Sequence, residues 1–510
     1  MYYKNLLEYF EQTVEAKPEK VAVVDGARTI TFSELSRQAK TLALTLRDVC
    51  KGEICRPVAV FLPKSIESVA SDLGIIYSGN AYMNLDLKTP AQRIQNILNL
   101  VQPMYIITDE AHAAGIADLW PREKTLIWEQ DMAACDESRF GELMANLERV
   151  IDTDPLCLIN TSGSTGTPKS VILNHKSFVD FTEWAIRTTG IGDDEVIASL
   201  SPIVFDIYSF ELCMLMAKSS TIVVIPDSLA AFPARILQMM QEQKVTYLFW
   251  VPTIMVNIAN MDLISRFDLS CLRHVWFAGE VFPTKQFNYW HRMLPQAQFI
   301  NLYGPIEITL DCTYFIVDRE IPDDEPLPIG VPCRNTDILI LNDEDQLCAV
   351  NEDGEICVRG TSLAMGYYNN PEKTAAAFVQ NPLNHSYPET IYRTGDIACW
   401  NERGEIMFKG RKDTLVKHSG YRIELGEIEH VIVNTLELVK NGCVVYDHAK
   451  KEIVFFYEMA EEMPIAEMRK RIGQAFPKYM IPGRYVCMDE LPRNTNGKID
   501  RLKLKESLNG

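Results

Sequence analysis

Apolar positions along the chain follow two alternating periods. Short β-branched runs, VAVFLP at 58–63, MYIITDE at 104–110, SSTIVVIP at 219–226, VTYLFWVP at 245–252 and LRHVWFAG at 272–279, each read as a buried strand. Between them lie helix-length amphipathic stretches: SIESVASDLGIIYSG follows the first run, and Ile94, Ile97 and Leu98 stand at helical spacing before the second. Several βα units in series predict an α/β fold with parallel, helix-flanked sheets, whose ligands sit beyond the carboxyl ends of the strands. From about 330 to 410 the texture changes to short strands and turns, as in DILILNDEDQ and GEICVRG, which predicts a small β subdomain. After GRKDTL mixed strand and helix resume for long enough to build a small separate lobe.

Composition narrows the class. With 510 residues, 47% of them hydrophobic, the chain can bury several ordinary cores, so disorder and fibres are excluded. A net charge of −19 argues against nucleic acid or an anionic membrane as the main partner. The residues through Asp413 carry 35 basic and 55 acidic side chains and those after it 15 and 14, so only the tail escapes the negative balance. Thirteen cysteines without a CxxC pair fit reduced thiols of a cytoplasmic protein better than a disulfide framework or a zinc site. The amino-terminal MYYKNLLEYFEQ has no long apolar run and is no signal peptide, and the apolar stretch around 203–225 is broken by Asp206, Glu211 and Lys218. No membrane insertion is expected.

The densest chemistry lies in LCLINTSGSTGTPKSVILNH, residues 156–175. An apolar strand runs into Thr161, Ser162, Gly163, Ser164, Thr165, Gly166, Thr167, Pro168 and Lys169 before a second β-rich run. Successive backbone N–H groups and hydroxyls of such a loop can wrap a polyphosphate while the lysine supplies charge. A plain hairpin loop is the other reading. The loop is not a Walker A motif, since GxxxxGK[ST] is absent.

TSGSTGTPK resembles the phosphate loop of the adenylate-forming superfamily, which includes acyl-CoA synthetases, luciferases and peptide-synthetase adenylation domains. Further motifs follow in the family's order: ITFSEL (30–35), AYMNLD (81–86), FDIYSFE (205–211), NLYGPIE (301–307), GEICVRG, YRTGD (392–396), GRKDTLVKHSGYRIELGEIE (410–429), FPKYMIP (476–482) and NGKID (496–500). RIELGEIE and NGKID resemble amino-acid adenylation domains, and FAGEVFP is similar to the D-alanine:carrier protein ligase branch.

The resemblance implies a large amino-terminal adenylation core over residues 1–412 and a small mobile α+β lobe over 413–510, with Asp413 as hinge. It implies ATP and Mg²⁺ as cosubstrate and cofactor. The phosphate loop, with Thr165 catalytic and Lys169 at its end, would hold the phosphates. Asn301, Leu302, Tyr303 and Gly304, with Gly279, Glu280 and Phe408, would surround the adenylate, and Glu307 would face the metal. Asp396 and Arg411 would hold the ribose hydroxyls, a task that suits a carboxylate. Lys498 would be the catalytic lysine, stabilising charge as a carboxylate oxygen attacks phosphorus and pyrophosphate leaves. No general base is needed, because the nucleophile is already an anion. Thioester formation would then use the opposite lobe face, near Gly420. The chain departs from the family at Ile306, where threonine is usual, at Ser170, where glycine is usual, and at HSG (418–420).

By the same resemblance Asp206 binds a substrate α-ammonium; as a plain structural residue it would cap the helix IYSFELCML. The specificity positions are Asp206, Ile207, Phe210, Phe249, Trp276, Ala278, Leu302, Leu310, Asp311 and Lys498. Three large aromatics shorten such a pocket and favour a small amino acid such as alanine (possibly the D form), glycine or serine. A cationic side chain paired with Asp311, or a flat amino-aryl acid between the aromatics, remain alternatives. No carrier-like segment follows Gly510, so the expected partner is a discrete phosphopantetheinylated carrier protein, docking on Arg469, Lys470, Arg471, Lys478 and Arg484. A monomer is expected. An acyl-CoA synthetase and a non-catalytic nucleotide-binding homologue are the rival classes.

Overall fold

The computed structural model describes residues 3–132, 135–161, 168–411, 415–439, 441–458, 463–493 and 499–508. The chain forms two compact units: residues 1–87, 101–159 and 171–410 in one, and 88–100, 160–170 and 411–510 in the other.

The large unit is built on two mainly parallel sheets. One has nine strands, in the order Val331–Pro332, Thr313–Ile316, Gln298–Tyr303, His274–Phe277, Tyr247–Trp250, Val196–Ser199, Thr221–Val224, Val21–Asp25, Arg28–Thr31. Its six central strands run parallel, and antiparallel strands close both ends. The seven-stranded sheet includes Ala81–Asn84, Pro57–Phe61, Ile106–Thr108 and Thr125–Ile127, all parallel. The expected strands therefore form within a residue or two of the apolar runs, and each is followed by a helix. A capping box between Ser65 and Ser68 starts helix Ile66–Tyr77, satisfying two orphan amides.

Strand alternation divides the core. Tyr247, Phe249, Trp276, Ile300 and Leu302 point to one face of the nine-stranded sheet. Leu248, Trp250, Val275, Phe277 and Phe299 point to the other, so burial on both faces accounts for the near-continuous apolar runs. The first face is covered partly by helix Asp206–Lys218, buried from Ile207 through Met216, which explains why its sequence is apolar on all sides.

The β subdomain is an antiparallel sheet of Thr336–Leu341, Gly354–Gly360, Thr390–Trp400 and Phe378–Gln380, with Ile406–Arg411 paired to the long third strand. The carboxyl-terminal part contains the hairpin Leu415–His418/Tyr421–Glu424 and a three-stranded sheet, Asn441–Asp447, Glu452–Glu458 and Arg484–Cys487. Ser419 and Gly420, at φ +53° and +83°, supply the two positive angles that a two-residue hairpin turn requires. Met468 and Ile472 pack helix Ile465–Ala475 against Phe455 and Tyr457. The α/β class with a large and a small lobe is as the sequence implies. No helix among the described residues is long and apolar enough to cross a membrane.

Candidate active site

The candidate residues of the large unit gather at the carboxyl ends of its central strands, where ligands of parallel sheets usually bind. Strand Gln298–Tyr303 delivers Asn301, Leu302 and Tyr303 and turns at Gly304. A Cβ at Gly304 would stand 2.2 Å from the Leu310 carbonyl oxygen and 2.5 Å from the Asp311 Cα, so only glycine permits this close return of the chain. The return is strained: Thr309 and Leu310 hold φ at +55° and +65°, a costly setting for side chains of their kind.

Two buried pairs fix the polar groups. The Tyr303 hydroxyl donates to Asp396 Oδ2 at 2.5 Å. Burial and the Asp396 charge hold that phenol well above its ordinary range, so it remains a donor. The Asp396 amide is held by Thr394 Oγ1, whose hydroxyl donates to the Ile356 carbonyl. Phe408 lies beside the Tyr303 ring, with centroids 6.0 Å apart. The second pair joins Glu307, fully buried in a short 3-10 turn, to the Tyr367 hydroxyl, which donates to Oε1 at 2.8 Å. The Ala364 amide donates to the Glu307 carbonyl. Asn301 Nδ2 donates to the Pro328 carbonyl at 2.7 Å.

Gly279 and Glu280 follow strand His274–Phe277, and Glu280 Oε2 accepts from both the amide and the hydroxyl of Thr253, tethering the loop to the start of helix Pro252–Asn260. Asp206 is the first residue of its helix. Phe205 occupies the cap position and makes no side-chain cap bond, while Asp206 Oδ1 accepts from the adjacent Ile207 amide at 3.0 Å. The helix-cap alternative is therefore not realised: Asp206 is half-buried and not the capping residue.

The positions expected to set specificity are mostly buried together in the core. Ile207, Phe210, Phe249, Trp276, Ala278, Leu302 and Leu310 belong to one buried cluster, drawn from a helix, three strands and the loops after them. Trp276 stacks on Phe210 (5.6 Å, 14°) and meets Phe249 edge-on at 5.8 Å. Asp311 is buried beside them in the chain. Tyr247, Phe181 and Trp184 complete the aromatic packing, with Tyr247 5.4 Å and Trp184 6.2 Å from Trp276. Sequence reasoning missed these three. Tyr247 was available by alternation, two residues before Phe249 on the same strand face; Tyr367 was not, since it sits on a two-residue strand with no motif.

In the smaller unit, Thr161 ends one strand and Lys169 begins the next; Ser162, Gly163, Ser164, Thr165 and Gly166 lie outside the described residues, as do Asp413 and Lys498. Ser170 is fully buried and donates to Asn160 Oδ1, so this departure from glycine ties together the two strands at the base of the loop. Arg411 closes strand Ile406–Arg411. Arg469, Lys470 and Arg471 lie exposed on helix Ile465–Ala475, with Lys478 and Arg484 exposed beyond it.

Strand ends, buried carboxylates and a buried aromatic cluster thus gather the candidate residues of the large unit. The chain belongs to the AMP-binding enzyme family, which it matches over residues 10–368. It is similar to the delta-poly-L-ornithine synthetase of Acinetobacter baumannii, at 31% identity over 509 residues, covering 98% of this chain and 36% of that protein. The chain thus spans about a third of that relative's length. In fold it is similar to the Vibrio cholerae adenylation domain AlmE, solved with glycyl-adenosine-5'-phosphate (TM-score 0.86, 20% identity, 100% of this chain and 98% of that one). It is also similar in fold to NpsA-ThdA of Klebsiella oxytoca, an artificially fused adenylation-PCP di-domain (TM-score 0.80, 21% identity, 95% and 94%).

Proposed function

We propose that this chain activates an amino acid with ATP and passes it as a thioester to the phosphopantetheine of a separate carrier protein. The observation that supports the reading is that Phe210, one turn along the helix that Asp206 begins, packs against Phe249 and Trp276 from two separate strands. A substrate carboxylate oxygen attacks the α-phosphorus of ATP, the bond to the β-phosphate bridging oxygen breaks, and pyrophosphate leaves. The carrier thiolate then attacks the carbonyl carbon and AMP departs with the carboxyl oxygen. Asp206 takes the substrate ammonium, Tyr303 and Phe408 flank the adenine, and Asp396 with Arg411 takes the ribose hydroxyls. Lys169 and Lys498 neutralise phosphate charge, and Thr165 orients it.

Among the described residues no cluster of three or more His, Cys, Asp or Glu is placed to hold a metal by itself. The buried carboxylate of Glu307 nevertheless suits Mg²⁺, which takes one or two carboxylates and fills its remaining positions with substrate phosphates and water. When bound it would supply charge neutralisation at the phosphates.

Phe210, Phe249 and Trp276 occupy one another's edges and faces, which supports a small side chain: alanine in either configuration, glycine or serine. The test is amino-acid-dependent ATP–pyrophosphate exchange across these, basic amino acids, amino-aryl acids and plain carboxylic acids. Stimulation by a small amino acid alone is expected. Stimulation confined to carboxylic acids without an amino group would overturn the reading in favour of an acyl-CoA synthetase.

A further inference from the structure

Whatever fixes the first turn of helix Asp206–Lys218 fixes Asp206, Ile207 and Phe210. Behind that turn lies a buried polar network. Asp72, fully buried on helix Ile66–Tyr77, accepts at Oδ2 from the Tyr208 hydroxyl at 2.9 Å and from Asn84 Nδ2 at 3.2 Å. The same Asn84 nitrogen donates to the Ile203 carbonyl at 3.1 Å, in the loop that enters the helix. One residue along the helix, Ser209 receives the Tyr82 hydroxyl at 2.8 Å. Strand Ala81–Asn84 and helix Ile66–Tyr77 thus grip the loop and first turn through side chains alone.

The inventory of donors does not close for a carboxylate. A carbonyl can only accept, so the Ile203 contact fixes which end of the Asn84 amide is nitrogen. Two buried acceptors then face no donor: Asp72 Oδ1 and Asn84 Oδ1. A proton on Asp72 Oδ1 would turn one of these acceptors into a donor, and Asn84 Oδ1, on the amide whose nitrogen already donates to Asp72, is an acceptor left open. Burial pushes the Asp72 carboxyl up to about 7, against the opposing hydrogen bonds of Asn84 and Tyr208. The titratable groups around Asp72 are Tyr208 on helix Asp206–Lys218, with Glu211 beyond it, Tyr82 on strand Ala81–Asn84, and Cys157 on the next strand. Burial holds both phenols and the thiol neutral, and raises Glu211 to about 7 against the pull of Lys64.

We propose that Asp72 is kept as a neutral carboxylic acid which, paired with Asn84, positions the entry loop and first turn of helix Asp206–Lys218 for amino-acid binding. Asp72 is a positioning residue, and this role rests on the amino-acid reading above. Asp72→Asn replaces the acid O–H with an amide N–H, whereas Asp72→Leu removes donor and acceptor together.

Three measurements on the full chain decide it. First, the infrared difference between wild type and Asp72→Asn at neutral pH should show a protonated-carboxyl band that shifts in D₂O; its absence overturns the proposal without reference to any substrate. Second, wild-type stability should fall as pH rises from about 4 toward 7, where the folded state keeps protons that the unfolded chain has released, and Asp72→Asn should retain only the shallower dependence that Glu211 contributes; parallel profiles overturn it. Third, Asp72→Leu should raise the amino-acid KM about tenfold, the scale of an unsatisfied buried polar group, leave the ATP KM in place, and be rescued by Asp72→Asn. Equal changes in both KM values indicate a general structural role and overturn the positioning claim. If Asp72→Leu does not fold, the pH dependence of the amino-acid KM replaces it, rising more steeply through pH 7 in wild type than in Asp72→Asn, with equal profiles overturning the positioning claim. If no amino acid supports exchange, the positioning role falls with the functional reading, while the infrared band still decides the protonation.

Discussion

Truncating Trp276 to alanine should lengthen the pocket toward leucine-sized substrates. The indole is fully buried, stacks on Phe210, meets Phe249 and Tyr247 edge-on, and lies on the strand face that carries Ala278 two residues further. Removing it costs roughly 3 to 5 kcal/mol of stability if the cavity stays open, so a chemical denaturation curve comes first. A substrate with three more apolar carbons than alanine then recovers about 0.8 kcal/mol for each one buried, roughly fourfold apiece and on the order of 60-fold together. The assay is the ratio of kcat/KM for leucine against the native amino acid in pyrophosphate exchange, which the substitution should raise toward that figure while the native value falls. A folded Trp276→Ala protein with an unchanged substrate profile would refute the claim that the aromatic cluster limits pocket length, and with it the preference for a small amino acid.

Other substitutions probe the remaining parts of the site. Asp206→Ala should abolish amino-acid-dependent exchange and leave ATP binding measurable by calorimetry, since a desolvated ammonium would lose its counter-charge; retained exchange would deny Asp206 that role. Tyr303→Phe should remove one hydrogen bond to buried Asp396 and raise the ATP KM by roughly tenfold or more, the scale of a hydrogen bond to a charged group, with the amino-acid KM little changed. Gly304→Ala should lose both activity and stability, because the added methyl meets backbone atoms of Leu310 and Asp311 that cannot yield; normal activity would mean that the chain's return there is adaptable.

Much of the fold was legible because burial on both sheet faces leaves so plain a trace. VTYLFWVP and LRHVWFAG are near-continuous apolar runs since Phe249 and Trp276 serve one core while Trp250 and Phe277 serve the other. The same alternation places Tyr247 beside Phe249, so its part in the pocket was readable but needed the face assignment of the strand. Helix Asp206–Lys218 shows the opposite problem. It is buried on every side and has no amphipathic stripe, so periodicity does not mark its boundary, and the start at Asp206 is set by tertiary packing. The partners of the buried carboxylates were illegible for a different reason. Glu307 finds Tyr367 sixty residues away, and Asp72 finds Tyr208 at a separation of 136, and no local pattern encodes contacts made through tertiary packing. Ser170 reads in sequence as an awkward replacement for glycine, and in the fold as the hydrogen bond that joins two strands.

The central claim is that a substrate carboxylate oxygen bonds to the α-phosphorus of ATP. It is tested most directly by incubating the enzyme with ATP and its amino acid labelled with ¹⁸O in the carboxyl group, cleaving the product with hydroxylamine, and weighing the released nucleotide. Hydroxylamine attacks the carbonyl carbon, so the oxygen that had bridged carbon and phosphorus stays with the nucleotide. The account predicts AMP carrying one ¹⁸O and pyrophosphate carrying none. Unlabelled AMP, or label in inorganic phosphate alongside ADP, would place the attack elsewhere and contradict it.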